Sequence, residues 1–177
     1  GAVALLLADA RTACAHRLQP LAKVAGWGIA NDANHITGPS PDGAGLARAI
    51  AAALQMAGVR PDEVQAFCAH GTGTGYNDGM ELAAIQAVFG ARCLPVFSIK
   101  GAIGHTLGAA GGIEAAVCVH ALAERRIPPT AGLEIPEPRA AGRVSHRVQA
   151  FGGRNILTAN SGFGGINAAL LLCAPPD

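Results

Sequence analysis

An α/β fold, with helices covering both faces of a mixed, mainly parallel sheet, is what this sequence predicts, and three observations predict it. Short apolar runs at residues 21–29, 64–69, 94–99, 156–160 and 166–173 are strand-length. Between the first of them and the fourth lie segments whose apolar residues recur at helical spacing. The 24 glycines among 177 residues gather where apolar runs stop, the place where open sheets of this class bind ligands. Strands alternating with helices imply parallel pairing with both faces covered.

The elements follow in order. Residues 3–8 read as a strand, and residues 9–19 as a polar stretch. The run at 21–29 ends at Asn31-Asp32, and a turn-rich segment leads to Asp42, placed to cap a helix. Leu46, Ile50 and Leu54 form that helix's apolar stripe, and Gly58 stops it. The strand at 64–69 ends at His70. A helix starting at Asn77 or Asp78 shows Leu82, Ile85 and Phe89 on one face and closes at Gly90. The strand at 94–99 leads to Lys100, and a third helix is expected from about His105 to Glu124. Its first half is almost all Gly and Ala, poor helix formers when Gly dominates, so packing on both sides must hold it. A proline-rich connection, 127–138, precedes the two closing strands. From residue 21 onward the order is βαβαβαββ.

Composition narrows the function. The chain is long enough for one substantial core. Half of its residues are apolar and 14% are charged, so much of its surface is expected to meet other protein. A formal net charge of +1 leaves no basic stripe for nucleic acid. Uninterrupted apolar runs fall short of a membrane span, and a secretory signal is not evident. Five scattered cysteines without a CxxC pair fit reduced, buried thiols in a cytoplasmic protein, and neither they nor the histidines have metal-ligand spacing. The start, Gly1 running straight into an apolar segment, reads as mid-domain; residues 1–20 are expected to be the last strand and tail of a preceding half, and 21–177 the domain proper.

Three loops carry chemistry. They are His70-Gly71-Thr72-Gly73-Thr74; Ser98-Ile99-Lys100 through Gly104-His105-Thr106 to Gly111; and Asn160-Ser161-Gly162-Phe163-Gly164-Gly165. Each histidine alone could be an ordinary loop residue. Together the three loops read as one site holding two imidazoles and a lysine. A lysine at the end of an apolar strand needs a partner, and Glu114 is the nearest carboxylate in the following helix. Phe163, between glycines, is either a core aromatic in a tight turn or a movable gate. Gly71–Gly75 lacks the G-x-x-x-x-G-K-[ST] arrangement of a phosphate loop. A nucleophile is missing from all three loops.

In this order and spacing, the motifs resemble the C-terminal half of the β-ketoacyl-[acyl carrier protein] synthases, the elongating condensing enzymes of fatty-acid and type II polyketide synthesis. The likeness extends to Asn31–Thr37, which is similar to the family's loop before the first helix. It implies a thiolase-like fold completed by an N-terminal half that carries the catalytic cysteine on a separate or cleaved chain. It implies acyltransferase chemistry: decarboxylation of malonyl-acyl carrier protein and condensation with a cysteine-bound acyl chain. By similarity His70 and His105, as neutral imidazoles donating through Nε2, would hold the malonyl thioester oxygen. Lys100 and Glu114 would balance charge. Thr37, Thr72 and Thr74 would line the phosphopantetheine arm. The Phe163 N–H would serve an oxyanion hole, with its ring as gate, while Asn160, Gly164 and Gly165 shape the loop. The arm of the acyl carrier protein would bring the substrate, with no metal and no tightly bound cofactor. Expected partners are the N-terminal half, acyl carrier protein, and a second subunit in a homodimer or a ketosynthase/chain-length-factor heterodimer. A non-catalytic chain-length-factor-like role is the alternative. It gives no chemical reason to keep His70, Lys100, His105 and Glu114 together. Two departures stand out: the loop is one aromatic residue shorter than NSFGFGG, and Gly73 replaces a serine common in HGTST.

Overall fold

A computed structural model describes residues 1–175. Its elements are α1 (Ala10–Ala15), β1 (Lys23–Asn31), α2 (Ala44–Ala57), β2 (Ala66–Cys68), α3 (Gly75–Phe89), β3 (Val96–Phe97), α4 (Lys100–Ile103), α5 (Ala110–Glu124), β4 (Arg126–Ile127), β5 (Gln149–Ala150), β6 (Asn155–Gly162) and β7 (Ile166–Cys173). The main sheet runs β1-β7-β6-β2-β3, and β4 and β5 form a separate ribbon. Helices cover both faces, as the sequence predicts.

Alternation of side chains builds the two cores. Phe67 and Ala69 of the β2 segment join Leu157 and Leu171 under α2 and α3. Ala66 and Cys68, one residue out of phase, join Ile156 and Leu172 under α5. A fully buried side chain such as Phe67 or Leu171 contributes about 2 kcal/mol by leaving water. Helix α2 approaches β1 so closely that a Cβ on Gly28 would lie 2.1 Å from the Ala49 carbonyl oxygen. Gly43, not Asp42, is the N-cap of α2; Asp42 stands one residue earlier and accepts from the Ala44 N–H at 2.9 Å. The stretch Leu107–Glu124 is long and apolar enough to cross a membrane. Ala115, Cys118, Ala121 and Leu122 of this stretch pack on the sheet.

Several expectations are corrected. Residues 3–8 are not a strand: they are exposed and outside the sheet, with Val3 lying against Gly112 of α5. A leucine run has strand propensity, but a strand exists only where an edge accepts its ladder. Parallel pairing is confined to β6-β2-β3, whereas β1-β7 and β7-β6 are antiparallel and carry most of the ladder. The β6-β7 connection is a hairpin, which forces antiparallel pairing. The helix expected from His105 begins instead as a 3-10 turn at Leu107–Ala109 that leads into α5, and a separate short α4 precedes it. Gly104, at φ 78°, ends α4 and leaves His105 in the gap. Helix α3 starts two residues early, at Gly75.

Candidate active site

The parallel register of β2 and β6 sets the site. It pairs Ala66 with Ile156, Phe67 with Leu157 and Cys68 with Thr158. Two residues further along each chain stand His70 and Asn160, on the same α5-facing side, with Nδ1 and Oδ1 3.0 Å apart. Below them α5 presents Glu114, only 1% exposed. Its Oε2 accepts from the Asn160 amide at 2.6 Å, and its Oε1 takes the Lys100 ammonium in a buried ion pair. The pairing of Lys100 with Glu114 expected from sequence is therefore present.

His105 completes the group. Its ring centroid is 5.0 Å from that of His70 and the ring planes stand at 80°. The Leu107 N–H is shared between the His105 carbonyl oxygen at 2.8 Å and its Nδ1 at 3.2 Å. Leu107 adopts a left-handed backbone (φ 52°) in doing so, an uncommon conformation for a side chain of this size.

These contacts assign the protons. A backbone N–H can only donate, so His105 Nδ1 is a bare acceptor and its Nε2 carries the hydrogen. Asn160 turns its amide nitrogen to a carboxylate, so the atom facing His70 is its carbonyl oxygen. That oxygen can only accept, which places the His70 hydrogen on Nδ1. Burial lowers the His70 pKa to about 4, with the Lys100 charge adding to the effect and the bond to Asn160 opposing it. At neutral pH its Nε2 is therefore a bare lone pair. These contacts give the two rings opposite surroundings at Nδ1, a backbone donor for His105 and an amide carbonyl for His70, where the sequence reading expects both to donate through Nε2. The difference has a physical cause: Glu114 dictates how the Asn160 amide is turned. Burial also raises the Glu114 pKa above the usual carboxylate range, and the Lys100 ammonium pulls it back.

Glu81 of α3, which sequence reasoning missed, holds the loop from behind. Its Oε1 accepts from the His70 N–H and its Oε2 from the Gly71 N–H, both at 2.7 Å; Oε2 also takes the Asn77 side-chain amide at 2.8 Å. The signal was available: Glu81 lies four residues before Ile85, a carboxylate inside the apolar stripe of a helix.

The remaining expected residues lie around this centre. Thr72 and Thr74 join hydroxyls at 2.8 Å on the rim. Thr37 is exposed, its backbone N–H bonded to His35 Nδ1 at 3.2 Å, and its loop reaches the third motif through the Gly164 N–H and Ile36 carbonyl at 2.7 Å. Asn31 and Asp32 add bonds to Gly164 and Gly165. Gly165, at φ 77°, has no room for a Cβ, which would fall 2.3 Å from Asp32 Oδ1. Phe163 is 77% exposed in this chain, at the tip of the β6–β7 hairpin. A cavity of about 1030 Å³ opens beside Lys100 and His105, past Thr72 and Ser98, to the loop around Glu134 and Glu137. Cys68 and Cys118 are buried, and the neighbouring thiol and burial hold Cys68 well above its usual range, which suits structural rather than nucleophilic thiols.

Comparison with known proteins places this geometry in context. The profile for "Beta-ketoacyl synthase, C-terminal domain" matches residues 21–134. The chain is 38% identical to "Putative polyketide beta-ketoacyl synthase 1" of Streptomyces cyaneus, over 99% of its own length and 42% of the relative's. It is 40% identical to "3-oxoacyl-[acyl-carrier-protein] synthase 2" of Synechocystis sp., over 96% of its length and 42% of that protein's. It superposes on "The ishigamide ketosynthase/chain length factor" with a TM-score of 0.89 at 36% identity, covering 94% of this chain and 41% of the other. The chain thus spans about two-fifths of the length of the curated relatives it matches.

Proposed function

Since the chain belongs to the β-ketoacyl synthase family, as its C-terminal domain, we propose that it supplies the His/His/Lys part of a decarboxylative condensing site whose cysteine comes from an N-terminal half. The observation that carries this reading is the convergence of His70 and His105, 5.0 Å apart, above the buried Lys100–Glu114 pair.

In the reaction, an acyl group sits on the cysteine as a thioester. The malonyl group, carried on the phosphopantetheine arm of acyl carrier protein, loses carbon dioxide. The electron pair of the broken C–C bond moves into the thioester, and the oxygen becomes an enolate. His105 Nε2–H is the donor placed for that oxygen; a preorganised donor of this kind lowers a barrier by about 3 kcal/mol. The enolate carbon then attacks the acyl carbonyl, a C–C bond forms, and the cysteine leaves as thiolate.

His70 plays the complementary part. With Nε2 bare and the ring held neutral by burial and by the Lys100 charge, it is the lone-pair acceptor of the site. Lys100 remains paired with Glu114 and sets the local charge instead of attacking substrate. The Phe163 ring is assigned as gate to the acyl pocket; its 77% exposure supports that reading. The Phe163 N–H is assigned to the acyl oxyanion hole, and Thr37, Thr72 and Thr74 to the pantetheine channel. Asn160 orients His70, while Gly164 and Gly165 shape the hairpin turn.

Partners follow from the same reading: the N-terminal half, acyl carrier protein, and a second ketosynthase or chain-length-factor subunit. A solved relative is described as a ketosynthase/chain length factor, which supports the last. The buried Lys100–Glu114 pair favours a catalytic over a chain-length role, because burying two charges is costly and serves no purpose in a spacer. The test is reconstitution with the cysteine-bearing half. His105→Ala is expected to abolish malonyl decarboxylation while cysteine acylation persists in part. Normal decarboxylation with acylation lost would overturn the assignment.

A further inference from the structure

Two carboxylates, Glu81 and Glu114, are almost fully removed from water. Glu114 faces an ammonium. Glu81, 2% exposed, takes its three hydrogen bonds from amides: the His70 and Gly71 backbone N–H groups and the Asn77 side chain. Two successive backbone N–H groups aimed at one anion form a nest, and Gly71 at φ 48° supplies the left-handed residue such a nest needs. The far side of the same turn is closed by Ser98, whose Oγ donates to the Gly71 carbonyl at 2.9 Å. The His70–Gly71 turn is thus clamped between Glu81 and Ser98. It fixes where the His70 ring starts and where the Thr72–Thr74 hydroxyl pair begins.

We propose that Glu81 is a positioning residue for the substrate-binding loop: ionised, it clamps the His70 and Gly71 amides, and on protonation it releases them, so that the loop holds the carrier arm only while Glu81 is charged. The substrate half of this statement rests on the phosphopantetheine reading given above; the clamp itself rests on the three bonds.

The chemistry makes the switch accessible. A carboxylate offers acceptors on both oxygens, whereas a carboxylic acid turns one of them into a donor, which meets an N–H head-on. Burial raises the Glu81 pKa to about 7, against the pull of its three donors. The surrounding charges divide. Asp78 on the same helix raises it further, and Glu134 and Glu137 face the same cavity from the opposite loop. Lys100 and His105 line that cavity too, Arg139 reaches the Gly79 carbonyl of α3, and His70 contributes a neutral ring.

The amide resonances of His70 and Gly71, followed by ¹H–¹⁵N NMR of the chain reconstituted with its N-terminal half from pH 5.5 to 8.5, test the clamp. Both are expected to move with one midpoint near pH 7. That movement is expected to vanish in Glu81→Gln. Amides that ignore pH, or that titrate equally in the variant, overturn the proposal; the wild-type titration decides even if the variant fails to fold. In the enzyme reconstituted with its N-terminal half, KM for malonyl-acyl carrier protein is expected to rise roughly tenfold from pH 8 to pH 6, as the ionised fraction falls, with a much smaller change in kcat. Glu81→Gln is expected to flatten that profile. Titrating amides with a constant KM overturn the loop's substrate role, whereas an absence of decarboxylation at every pH indicts the condensing reading instead.

Discussion

The Asn160 carbonyl oxygen lies 3.0 Å from His70 Nδ1 while the same residue's amide nitrogen lies 2.6 Å from Glu114 Oε2. One side chain thus passes the orientation imposed by a buried carboxylate to an imidazole, and the two histidines of the site end with opposite proton polarity.

That polarity is directly observable. Long-range ¹H–¹⁵N spectra of the imidazoles are expected to show His70 as the Nδ1–H tautomer and His105 as Nε2–H. Asn160→Ala removes the acceptor, so the His70 population is expected to redistribute between tautomers, with condensation in the reconstituted enzyme slowed about tenfold, the value of one hydrogen bond to a neutral ring. A wild-type His70 carrying its hydrogen on Nε2 would refute the relay.

Breaking the buried pair is expected to be severe. Glu114→Ala leaves the Lys100 ammonium at 8% exposure without its carboxylate, a loss of about 3–5 kcal/mol in urea unfolding. The double variant Lys100→Met with Glu114→Leu is expected to regain most of that stability while losing activity. If the double variant is as unstable as the single one, the cost lies in packing and not in charge.

The pH dependence of folding separates His70 from Glu81, because their slopes oppose. The His70 pKa falls from 6.5 in an open chain to about 4 on folding, so its stabilising contribution is complete above 6.5 and lost as pH drops to 4. The Glu81 pKa rises from 4.5 to about 7, so its contribution is complete below 4.5 and lost as pH climbs to 7. Thermal unfolding is expected to show Glu81→Gln gaining on the wild type as pH rises through 4.5–7. His70→Gln is expected to lose ground on the wild type across 4–6.5. Parallel curves for all three proteins would contradict both environments.

The chain alone is expected to self-associate. β1 is an edge strand whose Trp27 and Ile29 are 52% and 65% exposed, beside Ile166 of β7, on the side of the sheet that α5 leaves uncovered. Sedimentation should show concentration-dependent association, reduced by Trp27→Lys. A monodisperse monomer at high concentration would count against it.

How far the sequence reaches can be judged residue by residue. The helix stripe Leu46-Ile50-Leu54, its stop at Gly58, the strand at Ile166–Cys173 and the loops bearing His70, Lys100 and His105 are written in local patterns, and those patterns were enough to point to the family. Periodicity and turn chemistry act over a few residues, which is why they can be read in one dimension. Residues 3–8 show the limit of that reading, since an apolar run does not say whether a sheet edge will accept it.

Register, handedness of pairing and proton placement belong to the tertiary structure. Nothing in the chain between Ala66 and Ile156 announces that β2 and β6 align so that His70 meets Asn160, or that α5 sets Glu114 beneath both. Glu81 reads as a helix carboxylate until α3 docks and turns it toward two backbone amides. The sequence therefore determined which groups are present and on which loops. Only the packed fold decided which of them donate, which accept and which stay charged, because those properties depend on distances between segments up to ninety residues apart in the chain.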